Sequence, residues 1–205
     1  MHLFKRALQG LAAATAVVAL LAAPAATGAA TRGIACDPAL IAPTGSLIGN
    51  MWRANGGGSG VFGCPTTREF GIPGVRGSWQ EFRNGKIVWS PNQGPNLLLS
   101  MHRRDRQVVF RWSTTAPFNY DFFLVRWSRA WGFPVSPDQQ VKVTGGSRTG
   151  GRLTVDFPRG EPGVGRSSSD GKTAGFAFKV EGCDGTFFGR SSCRQGWSLP
   201  ISMRL

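Results

Sequence analysis

The sequence predicts a mainly β protein, in which a small helix-plus-hairpin unit is followed by a seven-stranded antiparallel β-sandwich. Three observations indicate this class. The 205 residues include 29 glycines and 13 prolines, which favour short strands and turns over long helices. Hydrophobic residues make up 41 % of the chain, so it can bury a packed core. Several segments of the second half alternate apolar and polar residues with the period of a strand.

The first 30 residues have the pattern of a secretory signal peptide. Lys5 and Arg6 precede an alanine-rich apolar run over residues 7–23, and small residues suited to cleavage follow. This run is too short and too weakly apolar to predict a membrane span. We therefore expect a secreted protein with a signal peptide at 1–30, a first unit at 31–96 and a second unit at 97–205.

Four cysteines follow the leader, and an exported protein can keep them as disulfides. None of them forms the CxxC spacing of a metal or redox site. Four cysteines allow three pairings, of which we favour the local one, Cys36 with Cys64 and Cys183 with Cys193. Closing these two loops is expected to contribute about 3.6 and 2.8 kcal/mol.

The first unit opens with one short helix. Ser46 is a suitable N-cap, and the apolar residues that follow it lie on one face of a helical turn. These residues are Leu47, Ile48, Met51 and Trp52. The glycine-rich run over residues 55–58 is expected to end the helix.

Residues 78–91 predict a β-hairpin around Asn84-Gly85, a preferred dipeptide for a type I′ turn. A two-residue turn at this place pairs Phe82 with Ile87 and Gln80 with Trp89. Alternation then puts Phe82, Ile87 and Trp89 on a core face. The opposite face carries Trp79, Glu81, Arg83, Lys86 and Val88.

The second unit predicts seven strands, and its alternation suits an antiparallel sandwich. The segment 120–128 is apolar on both faces and is expected to be central. The predicted strands cover residues 97–101, 107–113, 120–128, 139–144, 151–157, 174–182 and 197–205.

Two sequence blocks of the first unit resemble the LGFP-repeat family of exported actinobacterial proteins. These blocks are GVFGCPTTRE at 60–69 and WQEFRNGKIVWSP at 79–91. The chain departs from the family pattern at Phe62 and Cys64, where the family has leucine and phenylalanine, and it has a single copy. The resemblance implies attachment to the cell envelope through wall polymers. Matching positions are Gly77, Phe82, Gly85, Ile87, Trp89, Ser90 and Pro91.

The second unit is similar to a fibronectin type III or immunoglobulin-like module. The similarity rests on FRW at 110–112, LVRW at 124–127 and AFKVEGCD at 177–184. It implies a spacer or a module that binds a protein partner, because sandwiches of this kind serve many functions.

Trp79, Arg83 and Lys86 are the candidate binding residues. A flat aromatic ring can stack on a sugar, and the two cations can meet a phosphate or carboxylate. The alternative is that Trp79 only fills the space between the hairpin and the sandwich. Nearby, we expect His102 to be an ordinary surface residue beside a solvated basic edge formed by Arg103, Arg104 and Arg106.

A net charge of +13 favours polyanionic partners. Without a recognition helix, zinc finger or RNP-like strand, we expect no nucleic-acid partner. The expected partner is a cell-wall polysaccharide or an anionic wall polymer, and we expect no cofactor and no metal. Alternatives are a non-specific polyanion binder, or a secreted wall hydrolase or its accessory domain. A hydrolase needs two placed carboxylates, and Glu69 and Glu81 could in principle act as this acid and base. However, nothing in the sequence fixes their separation, and we predict no catalytic residues.

Overall fold

The computed structural model describes residues 34–130, 138–156, 175–185 and 190–204. These residues belong to one compact unit that begins at Arg32. The signal peptide predicted at 1–30 lies outside the described residues.

The helix α1 spans Leu47–Ala54 and begins where the sequence predicts it. The hydroxyl oxygen of Ser46 accepts a hydrogen bond from the Gly49 N–H at 3.1 Å, which satisfies a donor that the first helical turn leaves free. Ile48 and Trp52 are buried on one face of α1. Three short 3₁₀ turns lie at Pro38–Leu40, Gly57–Ser59 and Pro91–Gln93.

The described residues contain eleven β-strands, and every pairing between them is antiparallel. In chain order, β1 to β11 are Phe70–Gly71, Ser78–Phe82, Gly85–Trp89, Leu98–Arg104, Gln107–Ser113, Phe122–Ala130, Gln139–Thr144, Gly151–Asp156, Gly175–Gly185, Ser191–Ser192 and Ile201–Arg204. One sheet has the order β1-β2-β3-β4-β5-β8. The other has the order β10-β9-β6-β7, and β11 also pairs with β9.

The mainly β class with antiparallel sheets is confirmed, but the strand count and grouping differ from the prediction. Each of the seven predicted strands overlaps an observed strand. However, β4, β5 and β8 of the second unit extend the sheet that contains the hairpin. The boundary predicted between residues 96 and 97 lies between β3 and β4, which pair over five positions from Gly85–His102 to Trp89–Leu98. The division into two domains stays a prediction.

Two hydrophobic clusters cover the two faces of the first sheet. The larger cluster joins this sheet to the second one and includes Val88, Met101, Phe110, Phe178 and Ile201. The smaller cluster packs α1 on the opposite face of the hairpin and β4. Its buried members are Ile48, Trp52, Phe62, Phe82, Ile87 and Leu98.

The hairpin register differs from the prediction by two residues. Phe82 pairs with Gly85 and Gln80 pairs with Ile87, so Arg83 and Asn84 form the turn. Asn84 and Gly85 do not have the positive φ angles of a type I′ turn. A register shift of two preserves the faces, so Phe82 and Ile87 still point toward the smaller cluster.

Packing explains the glycine at position 85. A Cβ atom there would lie 2.3 Å from the Met101 carbonyl oxygen and 3.0 Å from Phe62 Cδ1. Gly85 is therefore required by the close approach of β4 and Phe62, and not by the conformation of the turn.

Candidate functional site

Two disulfides cross-link the described residues in the pairing that the sequence analysis favours. Cys36 is bonded to Cys64, and Cys183 is bonded to Cys193. The first bond fixes the segment that holds the hairpin turn. The Cys64 carbonyl accepts from the Arg83 N–H at 2.9 Å, and the Phe62 carbonyl accepts from the Asn84 N–H at 2.9 Å.

Trp79 is half-buried and packs against the larger hydrophobic cluster. Its ring lies 5.4 Å from the ring of Phe70, centroid to centroid. The ammonium nitrogen of Lys86 lies over the Trp79 ring, 4.3 Å from its centre. Trp79 therefore contributes to packing at this edge, and its role in binding stays a prediction. Phe70 is 47 % exposed and presents a second aromatic ring at the same edge.

Lys86 contacts both the Trp79 ring and Glu81, which lies near the turn. Its Nζ donates to Glu81 Oε1 at 3.1 Å, and its side chain is only 15 % exposed. A carboxylate therefore neutralises this cation, and its ammonium group also gains a cation–π contact. Arg83, in contrast, lies exposed in the turn.

Arg83 and Lys86 line a groove of about 490 Å³ that we call the hairpin groove. Arg103 at the end of β4 and Arg204 on β11 complete its cationic lining, and Glu81 is its acidic member. Burial lowers the pKa of the Arg103 guanidinium. The structure thus brings two of the three predicted binding residues to one groove. Trp79 contacts the groove residue Lys86 but does not line the groove itself.

The two candidate acidic residues are held by hydrogen bonds within the fold. Glu69 accepts from the Ser46 hydroxyl at 2.5 Å and from the Ser78 hydroxyl at 2.7 Å, so it joins α1 to the hairpin. Glu81 forms the ion pair with Lys86. Each carboxylate therefore has at least one partner within the fold.

His102 is not the surface residue that the sequence analysis expects. It is 7 % exposed, and its ring meets the edge of Phe62 at 5.5 Å between centroids. Burial lowers the pKa of the His102 imidazole, and the positive charges of Arg111 and Arg104 lower it further. The physical reason is alternation along β4, which puts His102 on the same face as Leu98, and the α1 segment covers that face.

One group of potential metal ligands lies within the described part of the chain. Glu181, Cys183 and Cys193 place one ligand atom each within 4.8 Å of the others. Both sulfur atoms belong to the disulfide, so they are not thiolate ligands. None of the described helices has the length and apolar character that a membrane crossing requires.

Comparison with known proteins supports the first resemblance. The family described as "LGFP repeat" matches residues 62–101. No curated protein and no solved structure matches this chain significantly, so the fibronectin-like identity of the second unit stays a prediction. The matched segment begins at Phe62, near the disulfide-bonded Cys64, continues through the hairpin and ends within β4. The chain therefore carries a match to the LGFP repeat, a family associated with cell-surface proteins.

Proposed function

We propose that this chain is an exported, non-enzymatic binding protein of the actinobacterial cell envelope, and that its repeat segment holds an anionic wall polymer. The observation that carries the proposal is the hairpin groove. Residues 81–86 of the matched segment line this groove, and Arg103 and Arg204, which lie outside the match, complete its cationic lining. Its acid, Glu81, is already engaged by Lys86. Guanidinium groups in such a groove are suited to phosphate and carboxylate groups.

Three further properties support the proposed location and partner. The repeat family is associated with cell-surface proteins. Two disulfides favour a compartment outside the cytosol. The net charge of +13 attracts polyanions over a long range. In this proposal, residues 97–205 act as a sandwich-like spacer or as a module for a protein partner.

The test is co-sedimentation of the protein with purified cell walls, before and after chemical removal of their anionic polymers. Arg83→Gln should lower wall binding several-fold at 0.15 M salt, because it removes an exposed cation of the groove. Arg68→Gln is the matched control, since Arg68 is exposed in the same repeat segment and does not line the groove. Equal losses for the two variants would instead support non-specific polyanion binding.

Salt separates charge attraction from aromatic stacking. Exposed charge pairs are screened over about 8–10 Å at 0.1–0.15 M salt, whereas stacking of a ring on a sugar persists. Phe70→Ala should therefore reduce wall binding at 0.3 M salt if a sugar ring contacts this edge, while Arg83→Gln acts mainly at low salt. Sugar or peptide release from walls by the wild type, abolished by Glu69→Gln or Glu81→Gln, would support the hydrolase alternative.

A further inference from the structure

A second cationic surface lies on β5 and β8, and it borders the hairpin groove at Arg103, which lines both grooves. Arg111 on β5 and Arg152 on β8 are direct cross-strand neighbours in the register, and both are exposed. Like charges placed directly opposite on two strands destabilise a sheet. Such a pair is understandable where an anion sits between the two guanidinium groups.

These two arginines form one side of a second groove, of about 600 Å³. Arg104 and His102 on β4 also line it, and Asn55 and Val61 close it on the α1 side. The groove therefore lies beside the part of the first sheet that α1 covers, on strands β5 and β8, against which α1 does not pack. We call Arg104, Arg111, Arg152 and His102 the arginine face.

The charge of the arginine face is not compensated within the groove. Among the described residues that line it, none is acidic. Asp156 lies on the same strand as Arg152, but its Oδ1 accepts a hydrogen bond from Gln107 at 2.7 Å. On the far side of Arg111 and Arg152, a neighbouring groove of about 340 Å³ is lined by hydroxyl residues that include Ser147 and Thr149.

His102 forms part of the inner wall of this groove. Its side chain is more than nine-tenths buried, and its Nδ1 has no hydrogen-bond partner. A buried polar atom without a partner costs free energy and is rare in native proteins. Burial lowers the pKa of the His102 imidazole, and the charges of Arg111 and Arg104 lower it further, so these arginines also act on the inner wall of the groove.

We infer that the arginine face binds phosphate groups of an anionic polymer, with one phosphate between Arg111 and Arg152. A tetrahedral phosphate offers oxygens in several directions and can accept from two guanidinium forks on different sides, whereas a carboxylate has only two oxygens, both in one plane. The adjoining groove leaves room for the chain on either side of this phosphate. The inference rests on the proposed function only for the source of the polymer.

The test measures binding of a linear polyphosphate of defined length at 0.15 M salt by calorimetry. Arg111→Gln with Arg152→Gln should weaken binding at least about tenfold, because each guanidinium supplies charge-assisted hydrogen bonds. The matched control is Arg68→Gln with Arg194→Gln, which removes the same charge from exposed positions that line neither groove. We expect less than about a threefold loss for this control.

Two further arms make the result specific. Polygalacturonate, a carboxylate polymer, should bind more weakly than polyphosphate, and inorganic phosphate should compete for the site. Arg111→Lys with Arg152→Lys keeps the charge but removes the planar forks, so it should lose the preference for phosphate. Equal losses in the test and control variants, or equal binding of both polymers by the wild type, would overturn the inference.

Stability provides a readout that does not depend on walls. Without phosphate, Arg111→Gln with Arg152→Gln should be at least as stable as the wild type, since a repulsive pair is removed. Polyphosphate should raise the unfolding temperature of the wild type more than that of the variant, which keeps only the hairpin groove. If polyphosphate binds as expected but the protein does not bind walls, the phosphate site is supported and the proposed function is contradicted. If the protein binds walls but these polyphosphate assays fail, only the phosphate site is contradicted.

Discussion

His102 is a buried histidine that makes the stability of the protein depend on pH. Its pKa lies below the ordinary value of 6.5 because of burial and the charges of Arg111 and Arg104. Below pH 6.5 the unfolded chain binds a proton that the folded chain does not, so the free energy of unfolding falls as the pH decreases. We expect the wild type to lose stability between pH 7 and pH 5, measured by urea unfolding, with a slope of at most about 1.4 kcal/mol per pH unit from this group.

The variant His102→Gln should lack this component of the slope. Glu181 acts in the opposite sense, because burial raises its pKa above 4.5 despite the opposing charges of Arg126 and Lys179. Above pH 4.5 the folded chain keeps a proton that the unfolded chain releases, so Glu181 favours the folded state at lower pH. Glu181→Gln should therefore steepen the acid loss. An unchanged slope in His102→Gln would mean that His102 titrates normally in the folded protein.

At the scale of the elements, Gly85 of the hairpin is required by packing, and not by the turn conformation that the Asn84-Gly85 dipeptide predicts. Gly85→Ala should destabilise the protein by about 2–3 kcal/mol, because the new methyl group would collide with the Met101 carbonyl. The control is Asn84→Ala, at an exposed turn position, which we expect to change stability by less than about 0.5 kcal/mol. Comparable losses in chemical denaturation would contradict the packing explanation and indicate a conformational requirement at both positions.

Local patterns were sufficient for the helix and for most strands. The capping serine, the apolar spacing of α1 and the alternation in residues 97–205 each act over a few neighbours, and the observed elements follow them. The order of strands in the sheet is not a local property. Nothing within residues 107–113 indicates that β8, instead of β6 or β7, is the neighbour of β5.

The candidate sites also depend partly on local patterns and partly on strand pairing that local patterns do not predict. Alternation correctly predicts that Trp79 and Lys86 share a face, and the structure brings them into contact. The arginine face needs the β5–β8 pairing, which aligns Arg111 with Arg152 across about forty residues of sequence. His102 was misplaced because its basic neighbours suggest a solvated strand end, while the covering segment around Phe62 is supplied by a distant part of the chain.

At the scale of the whole molecule, Gln93 connects the repeat segment to the second sheet. It is fully buried, its Nε2 donates to the Val180 carbonyl at 2.7 Å, and its Oε1 accepts from the Gly182 N–H at 2.7 Å. Gln93→Leu should cost about 2–5 kcal/mol, because it leaves two buried backbone groups of β9 without partners. Denaturant unfolding of this variant measures the cost.

Asn92→Ala is the comparison for that experiment. The Asn92 Nδ2 donates to the Trp197 carbonyl at 2.7 Å, but the side chain is exposed, so water can replace the lost bond and we expect a loss of less than about 1 kcal/mol. If Gln93→Leu were as mild as Asn92→Ala, the connection between the two sheets would not depend on buried hydrogen bonds.

The same hydrogen bonds determine when the chain can finish folding during its synthesis. Ser90 accepts from the Leu199 N–H at a separation of 109 residues, and Gln93 reaches residues 87 and 89 positions further on. A ribosome releases the helix and hairpin first, yet Gln93 finds its partners only after β9 has been made, and Ser90 only after Leu199 has been made. Contacts of such long sequence separation form late and slowly. A nascent chain with this order of events cannot complete these hydrogen bonds until residue 199 has been made, and passage through a translocation channel in the proposed export requires a chain that has not finished folding.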